Sequence, residues 1–198
     1  MASPLINVGG RKHGRTLLTL FPLVRRPDLP ISAAEIGVYR GDLSAFLLSS
    51  VPDLHLSMVD SWAEVPDGDY RKTGDKCAQL TQADHDENYA AAIEAVRFAD
   101  ARARIFRCPS VQAAGLVADG LDLAFIDGDH SESGVRADIA AWWPKVRAGG
   151  ILSGHDFSHR RRKSGVVRAV EAFVAENGLE LQLGGGSVWW VLKQKAEA

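Results

Sequence analysis

Apolar and polar residues change period along the chain, and each change predicts an element. Residues 16–23 carry a partly helical apolar pattern that Pro27 and Pro30 stop, because the residue before a proline is driven out of the helical region. Residues 32–38 read as a strand, Gly41 turns the chain, and Leu43, Phe46 and Leu47 then share one face of a helix over 42–50. A short strand over 56–60 precedes a polar stretch, 61–84, rich in Asp, Lys and Gly and without clear period. Such a stretch predicts an insertion loop, a candidate lid. Tyr89, Ala92, Ile93 and Val96 mark the next helix and residues 104–107 a strand. A short helix opening at Pro109 and Ser110 follows, which Gly120 closes.

Residues 121–126 are apolar except for Asp122, as expected of a central parallel strand buried on both faces. A helix is predicted over 132–146, with Val135, Ile139, Trp142 and Val146 on one side and Gly149-Gly150 ending it. Arg136 and Asp138 are assigned to its solvent side. A strand over 151–153, a helix over 166–177 and two strands over 179–183 and 188–192 complete the pattern. Alternating strands and helices predict an α/β fold, a doubly wound, mostly parallel seven-stranded sheet closed by a C-terminal antiparallel hairpin. In such sheets ligands bind beyond the carboxyl ends of the strands, near the topological switch point, where Asp60, Asp127 and Asp156 all fall.

A chain of 198 residues suits one domain spanning 1–198, with a helical N-terminal segment over 1–30. Its 23 basic and 25 acidic residues leave a formal charge of -2, which argues against general attraction to nucleic acid or anionic membrane. The two cysteines, Cys77 and Cys108, form no metal-ligand spacing and read as reduced thiols. The apolar stretch at 17–24 is far short of the roughly 20 residues a membrane span needs, so a cytoplasmic protein is expected. A homodimer is compatible with the sequence.

The first strand runs into Glu35-Ile36-Gly37-Val38-Tyr39-Arg40-Gly41. Glycines there admit a close ligand and the helix behind directs amides toward it, although a plain strand-to-helix turn has the same pattern. The spacing is not the GxGxxG of dinucleotide dehydrogenases. Asp60 stands about twenty residues on, where an acid can accept from two ribose hydroxyls; it is equally the place of a solvated strand-end aspartate.

With these features the stretch Phe125-Ile126-Asp127-Gly128-Asp129-His130-Ser131, continued by Gly134, Arg136, Asp138, Trp142-Trp143-Pro144, Gly149-Gly150 and His155-Asp156-Phe157, resembles the class I S-adenosylmethionine-dependent methyltransferases. Within that class it is similar to the catechol O-methyltransferase group and to small bacterial enzymes related to cephalosporin-biosynthesis methyltransferases. The resemblance spans residues 33–192 and implies a Rossmann-like sheet with S-adenosylmethionine as cofactor. It implies that Glu35, Gly37 and Gly41 line the methionine end, that Asp60 holds the ribose, and that Ser110 lies by the adenine, with Tyr39, Ser61 and Asp127 also in the cofactor site. It further implies a divalent metal at Asp127, His155 and Asp156. Carboxylates favour magnesium there, histidine favours manganese, iron or zinc, and a site with no metal is the alternative.

His130 matches the relatives' general-base lysine and is the first catalytic candidate, with Asp127 beside it; capping the following helix or satisfying a backbone carbonyl is its structural alternative. Two departures stand out: Leu43 replaces a serine near the cofactor carboxylate, with Ser44 as a substitute, and Gly128-Asp129 replaces a His-Trp pair on the adenine. Trp62, Tyr70 and Phe157 are candidate substrate walls. The basic run His159 to Lys163 sits at the rim, either attracting an acidic substrate or facing water. The expected reaction is methylation of a hydroxyl on a small molecule. Methylation of nitrogen or RNA, a nicotinamide-dependent oxidoreductase and a cofactor binder without turnover are the alternatives.

Overall fold

The structure, a computed structural model, describes residues 11–158 and 164–194; the basic run at 159–163 lies outside them. Helix α1 (Arg11–Val24) leads to β1 (Ile31–Ile36), α2 (Asp42–Ser50) and β2 (Leu54–Asp60). Then come α3 (Asp69–Lys72), α4 (Gln82–Val96), β3 (Ala103–Arg107), α5 (Ser110–Ala114), β4 (Leu121–Ile126) and α6 (Glu132–Trp142). The chain ends with β5 (Val146–Gly154), α7 (Gly165–Asn177), β6 (Gln182–Leu183) and β7 (Trp189–Leu192). The seven strands are ordered β3-β2-β1-β4-β5-β7-β6. The first five are parallel, and β7 runs antiparallel to β5 and β6, as the alternating pattern predicts.

Side chains alternate across a strand, so each central strand feeds two cores. Ala33, Leu123 and Phe125 face α1, α2 and α4, whereas Ala34, Ala124 and Ile126 face α5, α6 and α7. Every residue of β4 is buried, which is why its sequence is almost wholly apolar. The exception, Asp122, is 1% exposed and accepts from the Ser32 amide at 2.8 Å and from Arg147 Nε at 2.7 Å. A buried carboxylate needs such partners, and here they tie the amino ends of β1, β4 and β5 together.

The structure corrects three boundaries. Helix α6 ends at Trp142, and Val146 already belongs to β5, opposite Leu121. Pro144 cannot continue a helix, and the irregular register between Leu121 and Leu123 lets β5 pass Gly149-Gly150 within one strand. The polar stretch 61–84 is not structureless: it holds α3, a 3-10 turn (Cys77–Gln79) and the start of α4. Thr81 and Asp84 form a reciprocal capping box that begins α4 well before its apolar residues. The strand expected over 179–183 is only Gln182–Leu183.

Register sets the site. Ile36 pairs with Val59 and with Ile126, and Ile126 pairs with Gly154. The next residue of each strand, Gly37, Asp60, Asp127 and His155, therefore emerges at one level across the switch point between β1 and β4.

Candidate active site

At that level the backbones of β1 and β4 touch. Gly37 has φ +90°, and a Cβ on it would stand 2.1 Å from the Asp127 carbonyl oxygen, so only glycine fits. Tyr39, Trp62 and Asp156 also have positive φ, at 55°, 41° and 57°. Non-glycine residues rarely hold that conformation without surrounding support, and it gathers at functional sites. Part of the support is Asp60. Its Oδ2 accepts from the amides of Val38 and Tyr39, both at 2.9 Å, and its Oδ1 from the Trp62 amide at 2.9 Å. Trp62 Nε1 in turn donates to the Tyr39 carbonyl at 2.7 Å. Asp60 thus fastens the turn after β1 to the loop after β2. Of roughly four acceptor sites on a carboxylate, three are used, which leaves room for one ribose hydroxyl rather than two.

Above these strand ends opens a cavity of about 750 Å³. Glu35, Gly37, Tyr39, Asp60, Ser61, Ser110, Asp127 and His130, all expected at the site, line it, as do Trp62 and Tyr70. Gly41, Phe157, His155 and Asp156 are not on its wall, Asp156 lining a neighbouring groove instead. Gly41 lies against α4, where a Cβ would be 3.0 Å from Ala92 Cα. Phe157 is 3% exposed and packs in the core beneath α7. Ser44 does not substitute for the serine replaced by Leu43. It is fully buried and donates to Glu35 Oε2 at 2.5 Å. Burial raises the Glu35 pKa to about 8, which Ser44 only partly counters.

His130, Asp127, His155 and Asp156 do converge. His130 Nε2 lies 3.4 Å from Asp127 Oδ1, and its Nδ1 lies 2.6 Å from Asp75 Oδ2 and 3.5 Å from Asp156 Oδ2. His155 Nδ1 lies 3.3 Å from Asp127 Oδ1 and 3.7 Å from Asp156 Oδ1. Burial alone would lower the His130 pKa, but its bonds to Asp127 and Asp75 outweigh that and push it up to about 10. His155 is also raised, burial being outweighed by Asp127 and Asp156. The same two histidines lower Asp127 against the effect of its burial. Helix α6 is capped by Ser131, which accepts from the Gly134 amide at 3.0 Å, so His130 is not its cap.

The divalent metal expected at Asp127, His155 and Asp156 is not shown. Among the described residues no group of three or more His, Cys, Asp or Glu side chains is disposed to hold an ion. The histidines direct ring nitrogens at these carboxylates, His130 through both and His155 through Nδ1.

Three residues join the site that the sequence pattern did not single out. His13 of α1 lines the cavity, its ring centroid 4.8 Å from that of His155; burial and then His155 lower its pKa. Asp75, from the stretch read as a lid, reaches His130. Asp138 is 5% exposed and lines the cavity, which corrects its assignment to the solvent side of α6. The signal was available: Asp138 is three residues after Val135 and four before Trp142, on the helix's buried face. A polar groove of about 810 Å³, lined by Asp156, Ser131 and Arg136 among others, shares Asp75 and His130 with the cavity, so those two residues stand between them.

The profile of a methyltransferase domain matches residues 34–157, more than half of the chain, which therefore belongs to that methyltransferase domain family. Among curated proteins none is significantly similar in sequence. Solved structures share the fold. An O-methyltransferase described as putative, from Klebsiella pneumoniae, is 15% identical with a TM-score of 0.64, over 98% of this chain and 92% of that one. The O-methyltransferase NovP is 19% identical with a TM-score of 0.62, over 91% and 80%. A methyltransferase from Podospora anserina, solved with S-adenosylhomocysteine bound, is 16% identical with a TM-score of 0.58, over 98% and 80%. Among the described residues no helix is long and apolar enough to cross a membrane.

Proposed function

We propose that this chain transfers the methyl group of S-adenosylmethionine to a hydroxyl oxygen of a small molecule. The observation that carries the reading is Glu35. It is a carboxylate 2% exposed, with one hydroxyl partner, at the wall of a cavity formed where the switch-point strands end. A buried acid so poorly partnered suits an ammonium, such as that of the methionine moiety. Gly37 lets the ends of β1 and β4 close together at the cavity wall, Asp60 holds the turn and offers one acceptor, and Ser110 lines the same cavity. The cofactor supplies the chemistry, a methyl group made electrophilic by its sulfonium.

The residues at the other end handle the acceptor. The general-base role expected of His130 is not the one its surroundings support, since a ring whose pKa is about 10 keeps its proton at neutrality. Held between Asp127 and Asp75, it is a fixed cation at the partition between cavity and groove. There it favours charge developing on an acceptor oxygen. His13, with its lowered pKa, is the neutral imidazole at the same end and takes the hydroxyl proton. No step in this scheme uses a metal.

Ligand-dependent thermal stability tests the reading. Saturation at a hundred times Kd adds about 2.7 kcal/mol, several degrees in Tm for a domain of this size. S-adenosylhomocysteine should produce that shift, NAD should not, and chelator should change neither. A shift with NAD alone would replace the reading with an oxidoreductase. Among variants with intact S-adenosylhomocysteine binding, His13→Gln should lower kcat about a hundredfold or more and remove the acidic limb of its pH profile. An unchanged profile in that variant would remove His13 from the chemistry.

A further inference from the structure

The cavity has a second buried acid that neither the strand ends nor the acceptor chemistry uses. Asp138 projects from the second turn of α6, is 5% exposed, and lines the cavity between Gly128 and Ser110. A Cβ built on Gly128 would stand 3.7 Å from Asp138 Oδ2, so that oxygen lies beside the glycine wall. Its side-chain partner is the Ser110 hydroxyl, whose oxygen also accepts from Trp142 Nε1 at 2.8 Å. No cation among the described residues pairs with it, and burial raises its pKa to about 6 despite the Ser110 bond. A carboxylate has about four acceptor sites. One hydroxyl leaves most of them empty, an expensive condition inside a protein unless a ligand brings N–H groups.

The walls around it limit that ligand. Pro109 and Val111 at the start of α5, Gly128 just after β4 and Ala137 on α6 are small or apolar and offer no charge. Such a slot takes a flat ring, and Asp138, buried at its side, takes the ring's donor edge, whereas Asp129, the other acid of this wall, already accepts from the Ser131 amide. We infer that Asp138 reads the adenine of the cofactor, accepting a hydrogen bond from its exocyclic amino group, with Ser110 and Trp142 holding the carboxylate in place. The assignment rests on the proposed cofactor reading and adds to it a residue that discriminates among purines. An inosyl ring presents a carbonyl oxygen where adenine presents the amine, and that oxygen meets the carboxylate as acceptor against acceptor.

Calorimetric titration of S-adenosylhomocysteine and S-inosylhomocysteine into wild type, Asp138→Asn and Ser110→Ala tests this. Wild type should prefer the adenosyl ligand at least tenfold. Asn, which both accepts and donates, should bring the two affinities within about threefold of each other. Ser110→Ala should keep the preference, because the acceptor remains. If the Asn variant does not fold, the Asp138 carboxyl carbon followed by NMR in wild type gives the same answer. Its pKa should fall on binding the adenosyl ligand and rise on binding the inosyl one. An adenosyl preference unchanged in Asp138→Asn, or a carboxyl that responds alike to both ligands, overturns the assignment while leaving the cofactor reading intact. Failure of wild type to bind S-adenosylhomocysteine at all overturns both.

Discussion

Replacing Glu35 with Gln isolates the electrostatic cost on which the cofactor reading depends. The carboxyl is 2% exposed, accepts one hydrogen bond, and has its pKa raised by burial from 4.5 to about 8, with Asp127 and Asp60 adding to the rise. At about 1.4 kcal/mol per pH unit, ionising Glu35 costs about 5 kcal/mol more in the folded protein than in the unfolded chain. The folded state binds the proton more tightly. The stability linked to it is therefore fully present below about 4.5 and lost as pH rises through about 8. Gln cannot ionise, so urea denaturation of both proteins at pH 5 and pH 9 should move the stability difference toward the variant by about 4 kcal/mol. Other titrations, His130 included, largely cancel in that difference. A ligand ammonium beside Glu35 should also expel the proton. Titration of S-adenosylhomocysteine at pH 7 in buffers of different ionisation enthalpy should show close to one proton released by wild type and none by Glu35→Gln. A stability difference equal at both pH values would refute the buried, protonated Glu35, and equal proton release by the two proteins would refute its pairing with the ammonium.

Gly37→Ala should destabilise the domain by about 2–4 kcal/mol, because its methyl group would meet the Asp127 carbonyl at 2.1 Å in a positive-φ conformation; thermal unfolding within 2 °C of wild type would contradict that close approach. Asp60→Ala orphans the amides of Val38, Tyr39 and Trp62. The expected loss is about 2–3 kcal/mol, with faster hydrogen exchange at those three amides, and exchange unchanged there would show that the carboxylate does not hold the turn.

Much of the fold was legible because it follows from period. The switch between strand and helix spacing located the seven strands and their helices, and the order of elements required a mostly parallel sheet with its ligand site at the carboxyl ends. Gly37, Asp60 and Asp127 were visible for the same reason, each lying at or just beyond a strand's end, whereas Glu35 entered only through the family resemblance. Where boundaries failed, a local rule was outweighed. Val146 continued the apolar face of α6 in sequence, yet Pro144 ended the helix and pairing with Leu121 drew Val146 into β5. The capping box at Thr81 began α4 inside a segment with no apolar period.

The tertiary structure alone decided which partners each candidate site residue has. A sequence gives the residue type at a strand end, but not how many of its acceptor sites the fold has already filled. Asp60 reads as an acceptor for two ribose hydroxyls, and three backbone amides on it leave about one acceptor site. His130 reads in sequence with Asp127 beside it, and only packing adds Asp75, from a polar stretch fifty-five residues earlier, to its ring. His13 and Asp138 enter the cavity only because α1 and α6 are packed against opposite sides of its wall. Charge, burial and partner determine whether an acid or an imidazole holds its proton, and all three come from residues distant in the chain that only packing makes neighbours.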